Sequence, residues 1–270
     1  MFRVCVLGIG SHTGFLYLKP AAELRSKGFD IDVLAGDSSE LDADPEKLVR
    51  FMSEVRGCGV ILVAAHGDAT FFRHWDAFRS AAGEERIPIA VAGISKDLDG
   101  PYGSLFTGPA EERERVRLLM EVGGDANLRS ALIWCLKNYG GRPDLEVPPP
   151  DLPPAQGVYV PGRKEALALE EGLKDVGRSG RPAIMILFVD SYYVRHNTDA
   201  IDFLYDEVRK AGGEPVCVFL HTYPNPATGS LGISKIVDTY LLRGGRPIID
   251  AVINTMGFSL SVIAVPGCGE

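Results

Sequence analysis

Val60-Ile61-Leu62-Val63-Ala64-Ala65 carries no polar side chain. A strand with one wet face alternates apolar and polar residues. A short unbroken apolar run instead suits a strand covered on both faces, as in a parallel sheet. Working outward, nearly continuous apolar runs recur at Val4–Leu7, Ile31–Leu34 and Ile87–Ala92. Amphipathic stretches lie between these runs. Leu16–Lys27 ends at Gly28, a good helix C-terminus. Asp44-Pro45-Glu46 reads as an N-cap followed by proline at the first helical position, and this helix runs to Arg56-Gly57. Phe71–Ala82 ends at Gly83. Strand and helix in alternation imply right-handed crossovers and a doubly wound sheet of the Rossmann-like or flavodoxin-like kind.

Two helices then follow without a strand between them: Glu111–Val122, and Ala126–Asn138 with Asp125 as its expected cap. On the second, Leu128, Ala131, Leu132, Cys135 and Leu136 share one face. The stretch from Arg142 to Pro161, RPDLEVPPPDLPPAQGVYVP, holds seven of the 18 prolines and reads as an extended linker. The expected organisation is an α/β domain over 1–141, a linker over 142–161 and a second α/β domain over 162–270. In the second, a helix Lys164–Val176 leads to strands Ala183–Val189, Pro215–Leu220 and Ile248–Asn254. Helices Ala200–Ala211 and Ile233–Leu242 alternate with these strands, and a last apolar run lies in Ser259–Glu270. Three or four parallel strands make a thin sheet. The second domain therefore reads as incomplete, to be finished by later sequence or by a partner.

Composition narrows the function. With 46% hydrophobic and 24% charged residues the chain is globular, and a net charge of -8 argues against non-specific binding to nucleic acid or an anionic membrane. The five cysteines form no CxxC pair and read as buried, reduced thiols of a cytoplasmic protein. Neither a signal peptide nor a transmembrane run is legible. No GxxxxGK[ST] motif marks a nucleotide-binding P-loop.

Candidate site residues sit where apolar runs end, because open α/β sheets bind ligands at the carboxyl edge. The loop Gly8-Ile9-Gly10-Ser11-His12-Thr13-Gly14 is one residue too long for a dinucleotide fingerprint, and the candidate ribose acid, Asp37, comes late. His12 and His66 follow the first and third runs and are candidates for one shared edge. Asp190, Arg195 and His196 lie in the polar loop after Ala183–Val189, and His221 follows the next strand. The plain alternative for that loop is a β–α connection with Asn197 or Thr198 as the helix cap. A Ser-His-Asp arrangement, an HExxH motif and a paired-carboxylate motif are all missing from the pattern.

From Gly123 to Phe258 the chain resembles the amino-terminal region of the large subunit of ATP-dependent cobaltochelatase and magnesium chelatase. Gly123-Gly124-Asp125-Ala126-Asn127-Leu128 is similar to that family's G-G-x-x-N-L helix start. Gly157-Val158-Tyr159-Val160-Pro161 is similar to its G-I-Y-H-P element, with Val160 in place of His. Pro182–Phe188 resembles its P-x-V-G-I-L-F strand, after which the chain departs from the family's Tyr-Arg. Ile253-Asn254-Thr255-Met256-Gly257-Phe258 resembles its I-N-x-x-G-F strand end. The resemblance implies a segment that binds a tetrapyrrole, either a corrin precursor or protoporphyrin, or that docks subunits. It implies Co²⁺ or Mg²⁺ as the inserted metal. It also implies an AAA+ ATPase and an adaptor as partner subunits that supply ATP hydrolysis, with no cofactor held by this segment. The competing expectations are a stand-alone nucleotide- or nucleotide-sugar-binding enzyme and a non-catalytic interaction module.

Overall fold

The computed structural model describes residues 1–10, 13–65, 71–93, 106 and 112–256. Two compact units divide the chain, unit 1 at Met1–Asp151 and unit 2 at Leu152–Glu270.

Unit 1 contains β1 (Phe2–Ile9), a 3₁₀ turn (Gly14–Tyr17), α1 (Leu18–Ser26), β2 (Ile31–Asp37), α2 (Ser38–Ala43) and α3 (Pro45–Val55). It continues with β3 (Val60–Ala65), α4 (Trp75–Glu84), β4 (Ile89–Gly93), α5 (Arg113–Val122) and α6 (Gly124–Asn138). The sheet order is β2-β1-β3-β4, parallel throughout. The apolar runs of β1 and β3, expected to be covered on both faces, are covered on both. Val4, Val6, Val60 and Leu62 pack with α1, α5 and α6 on one side. Cys5, Leu7, Ile61 and Val63 pack with α3 and α4 on the other. Alternate residues of one strand thus feed two cores.

A local signal explains the start of α3. The Asp44 carboxylate accepts from the backbone N–H groups of Glu46 and Lys47, and Pro45 occupies the first turn of α3. The five apolar residues expected on one face of α6 are all buried in the unit 1 core. The cap of α6 differs from expectation. Gly123 (φ 66°) holds the N-cap position, while Asp125 lies in the first turn and pairs with Lys19. Only glycine takes such a backbone at little cost, so α5 can end and α6 begin at one residue.

Unit 2 contains β5 (Gln156–Tyr159), α7 (Leu169–Leu173), β6 (Ala183–Val189), α8 (Asp190–Val194), α9 (Asp199–Lys210) and β7 (Glu214–Leu220). Then come the ribbon strands β8 (Pro224–Asn225) and β9 (Ser230–Leu231), helix α10 (Gly232–Tyr240), the ribbon strands β10 (Leu242–Arg243) and β11 (Arg246–Pro247), and β12 (Ala251–Asn254). The main sheet runs β12-β6-β7-β5. Strands β12, β6 and β7 are parallel, and β5 is antiparallel at the edge.

Two sequence expectations change here. Strand β5 lies inside the stretch read as linker; its residues pair with Cys217–Leu220, and proline is tolerated beside an edge strand. The helix expected over Lys164–Val176 shrinks to α7, because Leu167 exchanges backbone hydrogen bonds with Val158 (2.9 Å each way) and holds the chain extended. The four cysteines among the described residues are buried and unpaired, as their apolar settings imply. Burial raises the Cys217 thiol to about 12.

Candidate functional site

In unit 2 the chain leaves β6 towards β7 on one side and returns to β12 on the other. The divergence puts the topological switch point between β6 and β12, and in open α/β sheets ligands gather at the carboxyl ends of such strands. Asp190 is the first residue beyond β6. His221 is the first beyond β7. Their meeting follows from register: Val189 lies opposite Leu220, so the next residue on each strand emerges at one edge. The His221 Nδ1 and Asp190 Oδ2 atoms stand 3.5 Å apart, both partly exposed. That is ion-pair distance for a protonated ring and long for a hydrogen bond.

Arg195 caps the C-terminus of the short helix α8, with its backbone N–H donating to the Ser191 carbonyl at 3.1 Å. Loss of solvent holds its guanidinium below the ordinary arginine value, and the Asp190 and Tyr192 charges oppose that shift. His196 follows in the left-handed region (φ 53°) and is exposed. Its N–H donates to the Tyr193 carbonyl, so it turns the chain out of α8. The structure therefore brings Asp190 and His221 together, sets Arg195 within electrostatic reach of Asp190, and leaves His196 on the surface of the turn.

Beside this cluster lies a network that sequence reasoning missed. Tyr159 on β5 donates its hydroxyl hydrogen to Asp202 Oδ1 (2.8 Å) and lies 3.0 Å from Thr198 Oγ1. Burial, first of all, raises the Tyr159 phenol. Thr198 does hold the N-cap position of α9, but its side chain makes no cap bond. Tyr193 stacks on Phe219 at 4.3 Å, and its hydroxyl accepts from the Ala166 N–H. Tyr159, Phe188, Tyr193 and Phe219 thus form one aromatic layer under α9 and α8. Tyr159 and Asp202 are 43 positions apart, so no local pattern could have joined them.

In unit 1 the last residues of β1 and β3, Ile9 and Ala65, are register partners. His12 and His66, the two candidates that follow these strands in sequence, lie outside the described residues. Asp37, weighed as a ribose ligand, is buried. Its Oδ1 accepts from the Gly14 N–H at 3.2 Å, while Ser38 Oγ accepts from the Gly10 N–H at 3.1 Å. A side chain at Gly14 would meet the Gly36 carbonyl oxygen at 2.6 Å, so this glycine serves close packing of the loop on β2. Among the described residues there is no group of three or more His, Cys, Asp or Glu able to hold a metal ion. No helix among them is long and apolar enough to cross a membrane.

A model of the CobN/Magnesium Chelatase family matches residues 118–266, over half of the chain. Two curated proteins of Methanocaldococcus jannaschii are similar. Uncharacterized protein MJ0908 is 24% identical over 244 residues, covering 89% of this chain and 19% of that protein. Uncharacterized protein MJ1441 is 34% identical over 154 residues, covering 57% of this chain and 12% of that protein. The chain thus spans under a fifth of the length of these relatives. Among solved structures, the catalytic subunit of cobaltochelatase from Mycobacterium tuberculosis aligns with a TM-score of 0.48 at 17% identity, covering 84% of this chain and 17% of that one.

Proposed function

The chain belongs to the CobN/Magnesium Chelatase family, and on that premise we propose that it is the amino-terminal segment of the tetrapyrrole-binding large subunit of an ATP-dependent metal chelatase. In this reading it contributes to holding the macrocycle or to docking subunits, and the metal, Co²⁺ or Mg²⁺, is a substrate of the whole assembly. ATP hydrolysis belongs to an AAA+ partner in this reading. Unit 2 carries the proposal, because the family match covers it and the Asp190–His221 pair stands at its carboxyl edge. A flat macrocycle needs a broad apolar contact with a few polar groups that fix its rim. The aromatic layer of Tyr159, Phe188, Tyr193 and Phe219 is core packed against α9, and it anchors the elements that carry Asp190 without itself facing a ligand. The nucleotide-binding alternative is weakened by Asp37, whose carboxylate already fastens the Gly14 loop.

The test is a titration of this chain with protoporphyrin and with a cobalt-free corrin, followed by absorbance. Saturable binding of one of them is expected, weakened roughly tenfold or more by Asp190→Asn or His221→Ala, since loss of one charge-assisted contact removes about 1.5–3 kcal/mol. The chain alone is expected to insert no metal. Saturable nucleotide binding in place of tetrapyrrole binding would overturn the proposal, and so would unaided metallation.

A further inference from the structure

Two cysteines of unit 1 are neighbours in space, and the chelatase reading gives them no task. Cys5 on β1 and Cys58 after α3 lie in the same core, on the side of the sheet that α3 and α4 cover. The turn that leaves α3 brings them together. The Cys58 N–H donates to the Val55 carbonyl at 2.9 Å as the helix closes, and the Gly59 N–H donates to the Arg3 carbonyl at 2.8 Å. A side chain at Gly59 would meet the Phe2 ring at 2.2 Å, so glycine lets this turn lie against the start of β1. The two thiols end in hydrogen-bond contact with each other. The Cys58 Sγ also lies 3.7 Å from the Glu54 carbonyl oxygen. The other two cysteines among the described residues stand apart, Cys135 in the second core of unit 1 and Cys217 in unit 2.

We propose that Cys5 and Cys58 are a reversible redox pair that closes to a disulfide on exposure to a peroxide and reopens with a dithiol reductant. A disulfide brings its sulfurs to about 2.05 Å. These sulfurs are already neighbours, so side-chain rotation and a small shift of the turn Gly57-Cys58-Gly59 complete the approach. The two thiols have unequal parts. Cys5 is fully buried, and burial, then the thiol beside it, holds it well above the ordinary thiol range. Cys58 is 7% exposed and is lowered, first by the hydrogen bond from Cys5 and then by the charge of Arg3, which Asp32 and Glu54 hold in place. Cys58 is therefore the attacking thiolate. Its sulfur bonds to one peroxide oxygen, the O–O bond breaks, and hydroxide leaves and takes up the proton that Cys58 released. The Cys5 sulfur then displaces the hydroxyl from the resulting sulfenic acid, and the hydroxyl departs as water with the Cys5 proton. Two thiols are oxidised to one disulfide, and one peroxide is reduced to two waters. The bond closes a loop that holds α1, β2, α2 and α3, so it stabilises unit 1 by restricting its unfolded chain. None of this depends on what unit 2 binds.

The test treats the folded chain with hydrogen peroxide, caps the remaining thiols with N-ethylmaleimide in urea, and maps the peptides without reduction. The expected product is one linked pair of peptides carrying Cys5 and Cys58, two hydrogens lighter than their sum and separated again by dithiothreitol, with Cys135 and Cys217 recovered capped. The urea midpoint of unit 1 is expected to rise on oxidation and to return on reduction, while amide exchange in unit 2 stays unchanged. Cys58→Ser is expected to abolish the link and leave Cys5 capped, and Cys5→Ser to leave Cys58 as a sulfenic acid that dimedone traps. The linkage is read on the wild-type chain, so a variant that fails to fold does not decide the matter. Recovery of Cys5 and Cys58 both capped would overturn the proposal. So would Cys58 carried on to the sulfinic acid beside a capped Cys5, since the second thiol would then not resolve the first. Links to Cys135 or Cys217 as frequent as the Cys5–Cys58 link would also overturn it, because they would mark oxidation of an opened chain.

Discussion

Strand β2 of unit 1 and strand β12 of unit 2 both stand at the edge of a parallel sheet, each beside the first strand of its winding. Both sheets are wound alike: from the central strand the chain moves to one side, then crosses to the other. Yet Ile31, Val33, Gly36 and Asp37 of β2 are buried, whereas Ala251, Val252 and Asn254 of β12 are exposed and Ile253 is half-buried. Parallel strands are normally covered on both faces. The difference teaches that a winding order does not by itself close a core. In unit 1, Asp37 and Ser38 bind the loop after β1 back onto the end of β2, and Phe51 of α3 lies against Gly36. In unit 2 the β12 edge, reached by the second crossover and not the first, meets β6 and has no such cover among the described residues.

The largest effects should test whether both units nonetheless have true cores. Trp134 of unit 1 and Phe188 of unit 2 are fully buried. Trp134→Ala and Phe188→Ala are each expected to cost about 3–5 kcal/mol, as large-to-small changes in packed cores do. Urea unfolding followed by amide exchange in each unit would measure this. A cost near 1 kcal/mol or less for Phe188→Ala would mean that unit 2 is loosely packed throughout, and the contrast would extend beyond β12. A smaller effect is expected at Asn127, the Asn of the G-G-x-x-N-L element. Its side chain donates to the carbonyls of Gly123 (2.9 Å) and Asp151 (2.7 Å) and accepts from the Asp151 N–H (2.7 Å). Asn127→Ala leaves part-buried backbone groups unpaired, for about 1–3 kcal/mol. Unit 1 stability in urea would report it, and an unchanged midpoint would show that this clamp on the last residue of unit 1 is not needed.

The sequence made the parallel strands legible because burial on both faces leaves short apolar runs bounded by turn residues, although Ala131–Leu136 shows that a buried helix can carry a run of the same length. Val60–Ala65 was read and observed with the same bounds. Helix α3 was legible for a local reason too, since Asp44 and Pro45 act within one turn. What stayed hidden is what depends on register and on distant pairing. Strand β5 reads as linker because its proline-rich flanks dominate the window, and its partner β7 lies some 60 residues on. Asp190 and His221 could each be nominated from position after a strand. That they meet follows only once Val189 is known to face Leu220. Arg195 was nominated for its charge, but the loss of solvent that lowers its guanidinium comes from packing in three dimensions.

The smallest expected effect separates an open strand from a closed one most cleanly. Val252 on β12 is 44% exposed, while Val63 on β3 is fully buried. Valine and threonine have nearly the same shape, so the exchange adds a hydroxyl and little else. In β3 that hydroxyl is taken out of water among apolar neighbours, and Val63→Thr is expected to cost about 1–3 kcal/mol. In β12 it stays hydrated, and Val252→Thr is expected to fall within about 0.5 kcal/mol of the parent. Paired denaturation midpoints under identical conditions measure the difference. Equal costs would mean that β12 is covered in solution, and the contrast between the two edges would then belong to the isolated fold and not to the working protein. A larger cost for Val252→Thr only in the presence of added partner subunits would identify this edge as the place where the assembly closes the second sheet.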